Sequence, residues 1–381
     1  MALRWGNVFP STKTRVIKYM NRPTIGFLTY DWAFGLKPIQ PNGCAWYRCY
    51  LPLQELKKDK YESGMGMPGY NDQYGFGILI PDQKAIHGWD IVVLKLIMLE
   101  KVVEQIDKAL AMGQKIVVDL DDHMEGLAKT NLAYTMTDPQ KNPNNNREHY
   151  FKIIEKATAL IASTPFLQEY YQKKHPDKPV YLVRNGIDLD RWTPRNDHSG
   201  YLPTYGWVGA TPWRSNDLEN LNPYFGKFIE EQHCKFHHSG SILNAPEVYK
   251  QIGLDKKYFT HEPMKPILTY PELFRKIDVG IVPLTNLDFN DAKSFIKGLE
   301  YTAAGIPFIA SPSPEYVYLA EQGVGRIAKN ADEWLQHAEE LLNPKVRKEE
   351  RERNRQIVKE KFSMNSRASD WEEVFDKILA L

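Results

Sequence analysis

Cysteine is scarce in this 381-residue chain: Cys44, Cys49 and Cys234 are odd in number and form no C-x-x-C pair, which excludes a disulfide-stapled scaffold and a structural zinc ribbon. Long apolar runs are lacking too. The best candidate, residues 91–99, is short and broken by Lys95, whereas a membrane-spanning helix needs about 20 apolar residues. The first twenty residues have no apolar centre of the secretory kind, so a cytoplasmic protein is expected. Neither sign of charge dominates: 49 Lys and Arg stand against 48 Asp and Glu, a formal net charge of +1. That excludes a protein that coats nucleic acid by bulk electrostatics. Neither G-x-S-x-G nor H-E-x-x-H occurs, which argues against a serine hydrolase or a zinc protease. Aromatic residues, in contrast, are plentiful, with 16 Phe, 21 Tyr and 9 Trp. They supply far more buriable surface than disordered chains carry, and the length suits two domains.

From residue 24 onward, short β-branched or aromatic runs alternate with longer segments of helical period, the pattern of βαβ units, so the fold class is α/β. Strands are predicted at 24–30, 90–96, 115–121, 159–163 and 180–183, near-continuously apolar as strands buried on both faces must be. Helices are predicted at 45–57, 99–112, 148–156 and 165–173. A Gly-, Pro-, Asn- and Asp-rich stretch, 186–204, has no sustained period and is read as a linker. The alternation then restarts, with strands at 205–208, 235–239, 258–261, 279–283, 307–310 and 325–327. Helices are predicted there at 216–231, 246–252, 268–276, 293–304 and 331–342. Two tandem doubly wound domains result, 24–185 and 205–362, each offering the C-terminal ends of its strands to ligands. Ahead of them lies a basic arm, 1–23, in which Arg4, Lys13, Arg15, Lys18 and Arg22 have no acidic neighbour in sequence. It suits phosphates or anionic lipid, or else is a solvated extension. Residues 345–361 carry eight basic and four acidic residues, the mixture of an exposed, ion-paired helix. In the final segment, 363–381, Trp371, Phe375, Ile378 and Leu379 fall at i, i+4, i+7 and i+8 and give a helix one apolar face.

The richest stretch is 278–311, which reads as strand, loop, helix, tight Gly-Ile-Pro turn and strand. Loop 287–292 opens a helix at Lys293, whose free backbone N–H groups and positive dipole end suit a diphosphate, with Lys293 adding a cation beside Ser294. Lys297 and Glu300 are neighbours on that helix, and a carboxylate there can accept two hydroxyl hydrogen bonds from a ribose. In KIVVDLDDHMEG, 115–126, a buried strand ends in Asp119, Asp121, Asp122 and His123. Packing does not require them, and crowded carboxylates raise one another's pKa, which marks a functional site. Sugar or acceptor hydroxyls and Mg²⁺ both suit such a cluster. His123 either orients an acceptor or leaving phosphate or is a loop histidine capped by an aspartate. NGCAWYRCYLP, 42–52, sets Gly43 and Arg48 at a loop-to-helix junction, where Arg48 meets an anion or forms a surface ion pair. Trp46 belongs with Trp5, Arg15, Lys18, Trp32, Tyr47 and Arg48 to an aromatic and basic set that suits a sugar, a nucleic-acid base or a protein side chain.

LEYTAAGIP, 299–307, resembles the donor-binding segment of GT-B glycosyltransferases, especially the retaining family-4 type, in which a helix-borne glutamate precedes a small-residue-Gly-hydrophobic-Pro turn. GWVGATPWRSNDLENL (206–221), VRNGIDLDRW (183–192) and IASTPFLQEYY (161–171) resemble further segments of the same enzymes, in the same order. The resemblance implies two Rossmann-like domains facing a cleft, with a C-terminal helix crossing back to the first domain. It also implies transfer of a sugar from a nucleotide-diphosphate sugar, UDP- or GDP-linked, with retention and with no cofactor or metal required. Glu300 would then grip the ribose, Gly209 and Arg214 would hold the diphosphate, and Gly43, Lys293, Ser294 and Lys297 would complete the donor contacts. The family places a glutamate eight positions before the ribose-binding one. Here that position is Ala292, so Asp291 is taken as its substitute, with Asp122 and His123 as the other catalytic candidates. Trp46, Arg48, Asp119 and Asp121 are the acceptor-side candidates, for a glycan, a protein or a modified nucleic-acid base. Two rival readings use the same architecture: a non-hydrolysing sugar-nucleotide epimerase and a non-catalytic nucleotide-sugar-binding protein.

Two further patterns are read as decoys. Gly64, Gly66 and Gly69 spell the dinucleotide fingerprint G-x-G-x-x-G, but no predicted strand precedes them and Pro68-Gly69 cannot open a helix. This segment is expected to be a mobile loop over the cleft. His237, His238 and Cys234 suggest a metal cluster, yet successive strand positions face opposite ways. Core and turn positions are expected, with His238-Ser239-Gly240 able to line a nucleotide pocket.

Overall fold

The computed structural model describes residues 15–16, 21–79, 86–137, 144–195, 202–214, 216–242 and 247–381; Arg4, Trp5, Lys13 and Lys18 lie outside the described residues. The chain divides into two compact units. The first takes residues up to Asp122, then Met136–Asn185 and Arg367–Leu381; the second takes His123–Thr135 and Gly186–Ser366. Among the described residues, no helix is long and apolar enough to cross a membrane.

The first unit is built on β1 (Arg15–Val16), β2 (Thr24–Thr29), β3 (Trp32–Ala33), β4 (Gln40–Pro41), β5 (Glu62–Asn71), β6 (Gly75–Leu79), β7 (Ile86–His87), β8 (Ile91–Lys95), β9 (Lys115–Leu120), β10 (Ala159–Ala162) and β11 (Val180–Leu182). Nine of these form one sheet in the order β1-β7-β6-β5-β2-β8-β9-β10-β11, while β3 and β4 make a small ribbon. From β5 through β2 to β11 all pairings are parallel. Helices therefore cover both faces, and Phe27, Val93, Val117 and Ile161 are all fully buried. The expected loop at 64–71 is instead β5, paired with β2 on one side and antiparallel to β6 on the other. Its glycines are packing devices: a Cβ on Gly64 would lie 2.8 Å from the Trp89 ring, and one on Gly66 would lie 2.4 Å from Ile78. Small residues that admit a neighbouring tryptophan resemble a loop signal in sequence. The glycines of β6 hid that strand in the same way.

The helix Met364–Leu379 lays the face predicted for it on this sheet. Trp371 and Phe375 meet Phe27 edge-on at 6.1 and 6.0 Å, and Tyr61 donates to Asp376 at 2.6 Å. Each buried ring contributes roughly 1.5–3 kcal/mol.

The second unit holds β12 (Thr204–Val208), β13 (Lys235–Ser239), β14 (Phe259–Glu262), β15 (Val279–Val282), β16 (Phe308–Ala310) and β17 (Arg326–Ile327). They form an all-parallel sheet in the order β14-β13-β12-β15-β16-β17. Counted within the unit this is the doubly wound order 3-2-1-4-5-6, which reverses direction between β12 and β15. The phenol of Tyr301 spans that reversal, accepting from Val208 N–H and donating to the Gly206 carbonyl.

Several expectations change here. Residues 186–195 are not a free linker: Ile187 and Trp192 are buried in the core of this unit, and Ile187 exchanges backbone hydrogen bonds with Phe362 and Met364. Residues 196–201 lie outside the described residues. Helix 216–231 is divided into a 3₁₀ turn, Asp217–Leu221, and a helix, Tyr224–Glu231, because Pro223 interrupts it. Segment 268–276 is only a 3₁₀ turn, Tyr270–Phe274, and the helix Pro314–Glu321 was not anticipated. The charged helix Pro344–Lys361 is not wholly exposed. Its inner row carries Arg347, which caps the Leu341 and Leu342 carbonyls, and Glu350, paired with Arg326 at 2.5 Å. Polar residues on a buried stripe leave no apolar period to read.

Candidate functional site

Open α/β sheets bind ligands beyond the carboxyl ends of their strands where the strand order reverses. In the second unit those ends are β12 and β15, so the loops that count are 209–214 and 283–300. After β12 the backbone passes Gly209 and a 3₁₀ turn, Thr211–Trp213, to reach Arg214. Gly240, at φ +150°, approaches so closely that a Cβ there would lie 1.7 Å from the Gly209 carbonyl oxygen. Arg214 is half-buried and has no ion-pair partner among the described residues. Its charge is felt at Lys297 and at Tyr316.

After β15 the expected loop 287–292 holds a short helix, Asp288–Asp291, and the expected helix 293–304 is shortened to Ile296–Ala303. Lys293 and Ser294 lie in the break between them, and the Lys293 ammonium sits 4.0 Å from the Phe289 ring centre. Lys293 therefore does not open the helix that carries Glu300; Phe295 caps it. Glu300 is 3% exposed. One of its oxygens accepts from Tyr270 at 3.0 Å and from Lys297 at 2.5 Å, and Lys297 also donates to Tyr270 at 2.6 Å. Burial lowers the Lys297 pKa; Glu300 opposes that shift and Arg214 adds to it. Asp291 ends the first of the two helices, and burial, then Asp288 beside it, raises its carboxyl above the usual range. Ala292 is fully buried and carries no carboxylate; Asp288 and Asp291 are the acids of the helix before it. Asp217, which the sequence reading passed over, anchors this loop. Its Oδ1 accepts from Thr285 N–H at 2.9 Å, from the Thr285 hydroxyl at 2.9 Å and from Asn290 at 2.8 Å. Asp122 and His123, named together from sequence, fall in different units. His123 is buried, its ring against Gly126.

The first unit reverses direction between β2 and β8. Lys95, at the end of β8, is fully buried with its ammonium 3.3 Å from Asp119 and paired also with Asp121. Burial works against its charge, but Asp121 and Asp119 outweigh it and raise its pKa above the ordinary lysine value. Arg48 is 1% exposed: it grips Asp119 through Nε at 3.1 Å and Nη2 at 2.6 Å, donates to the Val183 carbonyl and Asn185, and lies 4.7 Å over Trp371. Neither surface ion pair nor acceptor contact describes it. Asp119 is equally enclosed, and Trp46, Trp32 and Tyr47 are buried, Trp46 stacked on Tyr50 at 4.4 Å. This removes Arg48, Asp119 and Trp46 from the acceptor-facing set, because core packing consumes their surfaces. Asp121 remains at the edge, 14% exposed. Gly43 opens its helix as expected, but Asp31 accepts from Ala45 N–H there at 2.9 Å, so the chain's own carboxylate already holds that N-terminus. Burial raises the Asp31 carboxyl against the pull of Ala45 and Asn42. Arg22 finds its acid far along the chain, donating to Glu62 at 2.6 Å.

His237 and His238 are core residues. Burial pushes both down to about 4, and His238 stacks on Trp207 and bonds the Gly209 carbonyl at 3.0 Å. Among the described residues, no group of three His, Cys, Asp or Glu is placed to hold a metal ion.

No protein-family profile matches the sequence, and no curated protein does. Solved structures do match its shape. Sucrose-phosphate synthase from Thermosynechococcus elongatus superposes with a TM-score of 0.62 at 13% identity, over 94% of this chain and 100% of that one. Anabaena HepE in complex with UDP and glucose gives 0.61 at 13% identity, over 93% and 100%. A glycosyltransferase from Rickettsia africae gives 0.54 at 14% identity, over 76% and 77%. The chain has the GT-B fold. Both switch points described above are therefore those of a GT-B chain, and that of the second unit carries Glu300 on the helix that the sequence resemblance assigns to donor binding.

Proposed function

We propose that this protein is a glycosyltransferase that moves a sugar from a nucleotide-diphosphate sugar to an acceptor, with retention at the anomeric carbon. The observation that carries the reading is Glu300: a buried carboxylate beside Lys297, next to a half-buried Arg214 without a carboxylate partner, at the strand-order reversal of a GT-B unit. Glu300 accepts the ribose hydroxyls, trading the Tyr270 or Lys297 contact for them. Arg214 and Lys293 meet the diphosphate and stabilise the charge that develops on it as the glycosidic bond breaks. Asp291, with its raised carboxyl, faces the sugar side of the same loop. HepE was solved with UDP and glucose, which supports a UDP-sugar as the first donor to test.

The test is a thermal-shift screen with UDP, GDP, ADP and their sugar conjugates, on the full chain and on Glu300→Ala. Stabilisation by one nucleotide class, abolished in the variant, supports the donor site; no stabilisation by any of them overturns it. Release of free nucleotide and sugar from the bound donor then separates a transferase from a silent binding protein.

A further inference from the structure

Glu300 receives Tyr270 and Lys297 on the same oxygen, and the two partners differ in how firmly each is held. The terminal torsion of a glutamate is broad, so the plane of a buried carboxylate is set by what it bonds. Lys297 belongs to the same helix, three residues earlier, and reaches Glu300 through a flexible four-carbon stem. Tyr270 comes from a separate element, the 3₁₀ turn Tyr270–Phe274. Its ring meets Trp192 and Phe274 edge-on at 6.3 and 5.5 Å, and both of these are buried in the core of the unit. The turn itself is tied to β13, because the Leu273 carbonyl accepts from the Ser239 hydroxyl at 2.8 Å. The ammonium can move by rotating bonds, whereas the phenol oxygen moves only if core packing moves with it.

The direction of the hydrogen bonds follows from the three groups. An ammonium only donates and a carboxylate only accepts, so the phenol accepts from Lys297 at 2.6 Å and gives its single proton to Glu300 at 3.0 Å. Lys297 can therefore lose Glu300 and still keep Tyr270. Its ammonium also lies 5.4 and 5.7 Å from the centres of the Tyr270 and Phe274 rings, within reach of cation–π attraction. Displacing Tyr270 from Glu300 would instead pull a ring out of its aromatic packing.

We infer that Tyr270 is a positioning residue of the donor site: its phenol fixes the plane in which Glu300 meets the ribose and stays in place when the donor binds, and Lys297 is the partner that gives way. This rests on the donor reading of Glu300. A carboxylate held in one plane presents its lone pairs to hydroxyls in one geometry, and a site built to bond a hydroxyl rejects the analogue that lacks it. Tyr270 thus sets the preference for ribose over deoxyribose while acting only through Glu300.

The test is calorimetric titration of the full chain, wild type and Tyr270→Phe, with UDP and 2′-deoxy-UDP, and with the corresponding GDP and ADP pairs. The wild type should prefer one ribonucleotide over its deoxy form by roughly tenfold. Tyr270→Phe keeps the ring and its packing, and should bind that ribonucleotide roughly fivefold more weakly with the deoxynucleotide within about twofold of wild type, so that the preference collapses. A general loosening of the site would weaken both forms alike, and an unchanged ratio overturns the inference. Tighter ribonucleotide binding by Tyr270→Phe overturns it too, since that follows if Tyr270 rather than Lys297 gives way, and so does a wild type indifferent to the 2′-hydroxyl. In each of these outcomes the donor site itself stands if Glu300→Ala still abolishes nucleotide binding. A wild type that binds no nucleotide defeats the donor reading, and the role of Tyr270 falls with it.

Discussion

At the switch point of the first unit two cations, Arg48 and Lys95, are enclosed with Asp119 and Asp121, and the contacts close on themselves. At the switch point of the second unit, Glu300 shares one cation and one phenol, while Arg214 stands without a carboxylate partner among the described residues. Both are charged clusters beyond strand ends where the strand order reverses, and both look like active-site chemistry in the sequence. The difference lies in whether the charges are already matched. Enclosed, matched charges hold a fold in one arrangement; a half-buried cation that forms no ion pair among the described residues keeps its capacity for a ligand.

The sharpest way to break this comparison is to remove a matched charge. Asp119→Ala leaves Arg48 and Lys95 buried without their shared acid, and should lower the stability of the first unit by about 3–5 kcal/mol in urea unfolding. A loss below about 1 kcal/mol would show the cluster to be open to water. The second unit should respond instead to acid. Above pH 6.5 His237 and His238 are neutral in folded and unfolded chains alike. As the pH falls, the unfolded imidazoles take up protons first and the native ones only near 4. Stability therefore drops between these limits, by up to about 3 kcal/mol per histidine, and then levels off. Urea midpoints measured down this range should show that fall, and a flat profile would contradict their burial as neutral rings. The smallest effect on stability is expected from Arg214→Ala. It breaks no ion pair, so unfolding should move within about 0.5 kcal/mol, while UDP binding, followed by calorimetry, weakens roughly ten- to hundredfold. A large stability loss with unchanged UDP affinity would place Arg214 with the matched charges of the first unit.

How much of this was legible varied with the kind of signal. The βα alternation and the apolar strands were plain, because a parallel sheet buried on both faces requires continuous apolar runs such as Ile91–Leu94. The terminal helix announced its face through Trp371 and Phe375. Glu300 was legible from the turn that follows it. Lys95, in contrast, read as a flaw in an apolar run, since its partners Asp119 and Asp121 lie on the neighbouring strand and just past its end. Asp217 lies within 206–221 but nothing there singled it out, and Tyr270 carried no motif. Their roles depend on contacts across 68 residues to Thr285 and 30 residues to Glu300.

The sequence by itself determined the class of fold, the two-unit organisation and the helix that presents Glu300, because these follow from local period, turn chemistry and composition. Only the tertiary structure decided which charges are used up. Arg48 and Arg214 are alike as letters, and their chemistry diverges through desolvation and pairing, which depend on residues brought together from distant parts of the chain. β5 makes the same point in an uncharged setting: its glycines became a strand because Trp89 needed the space they leave.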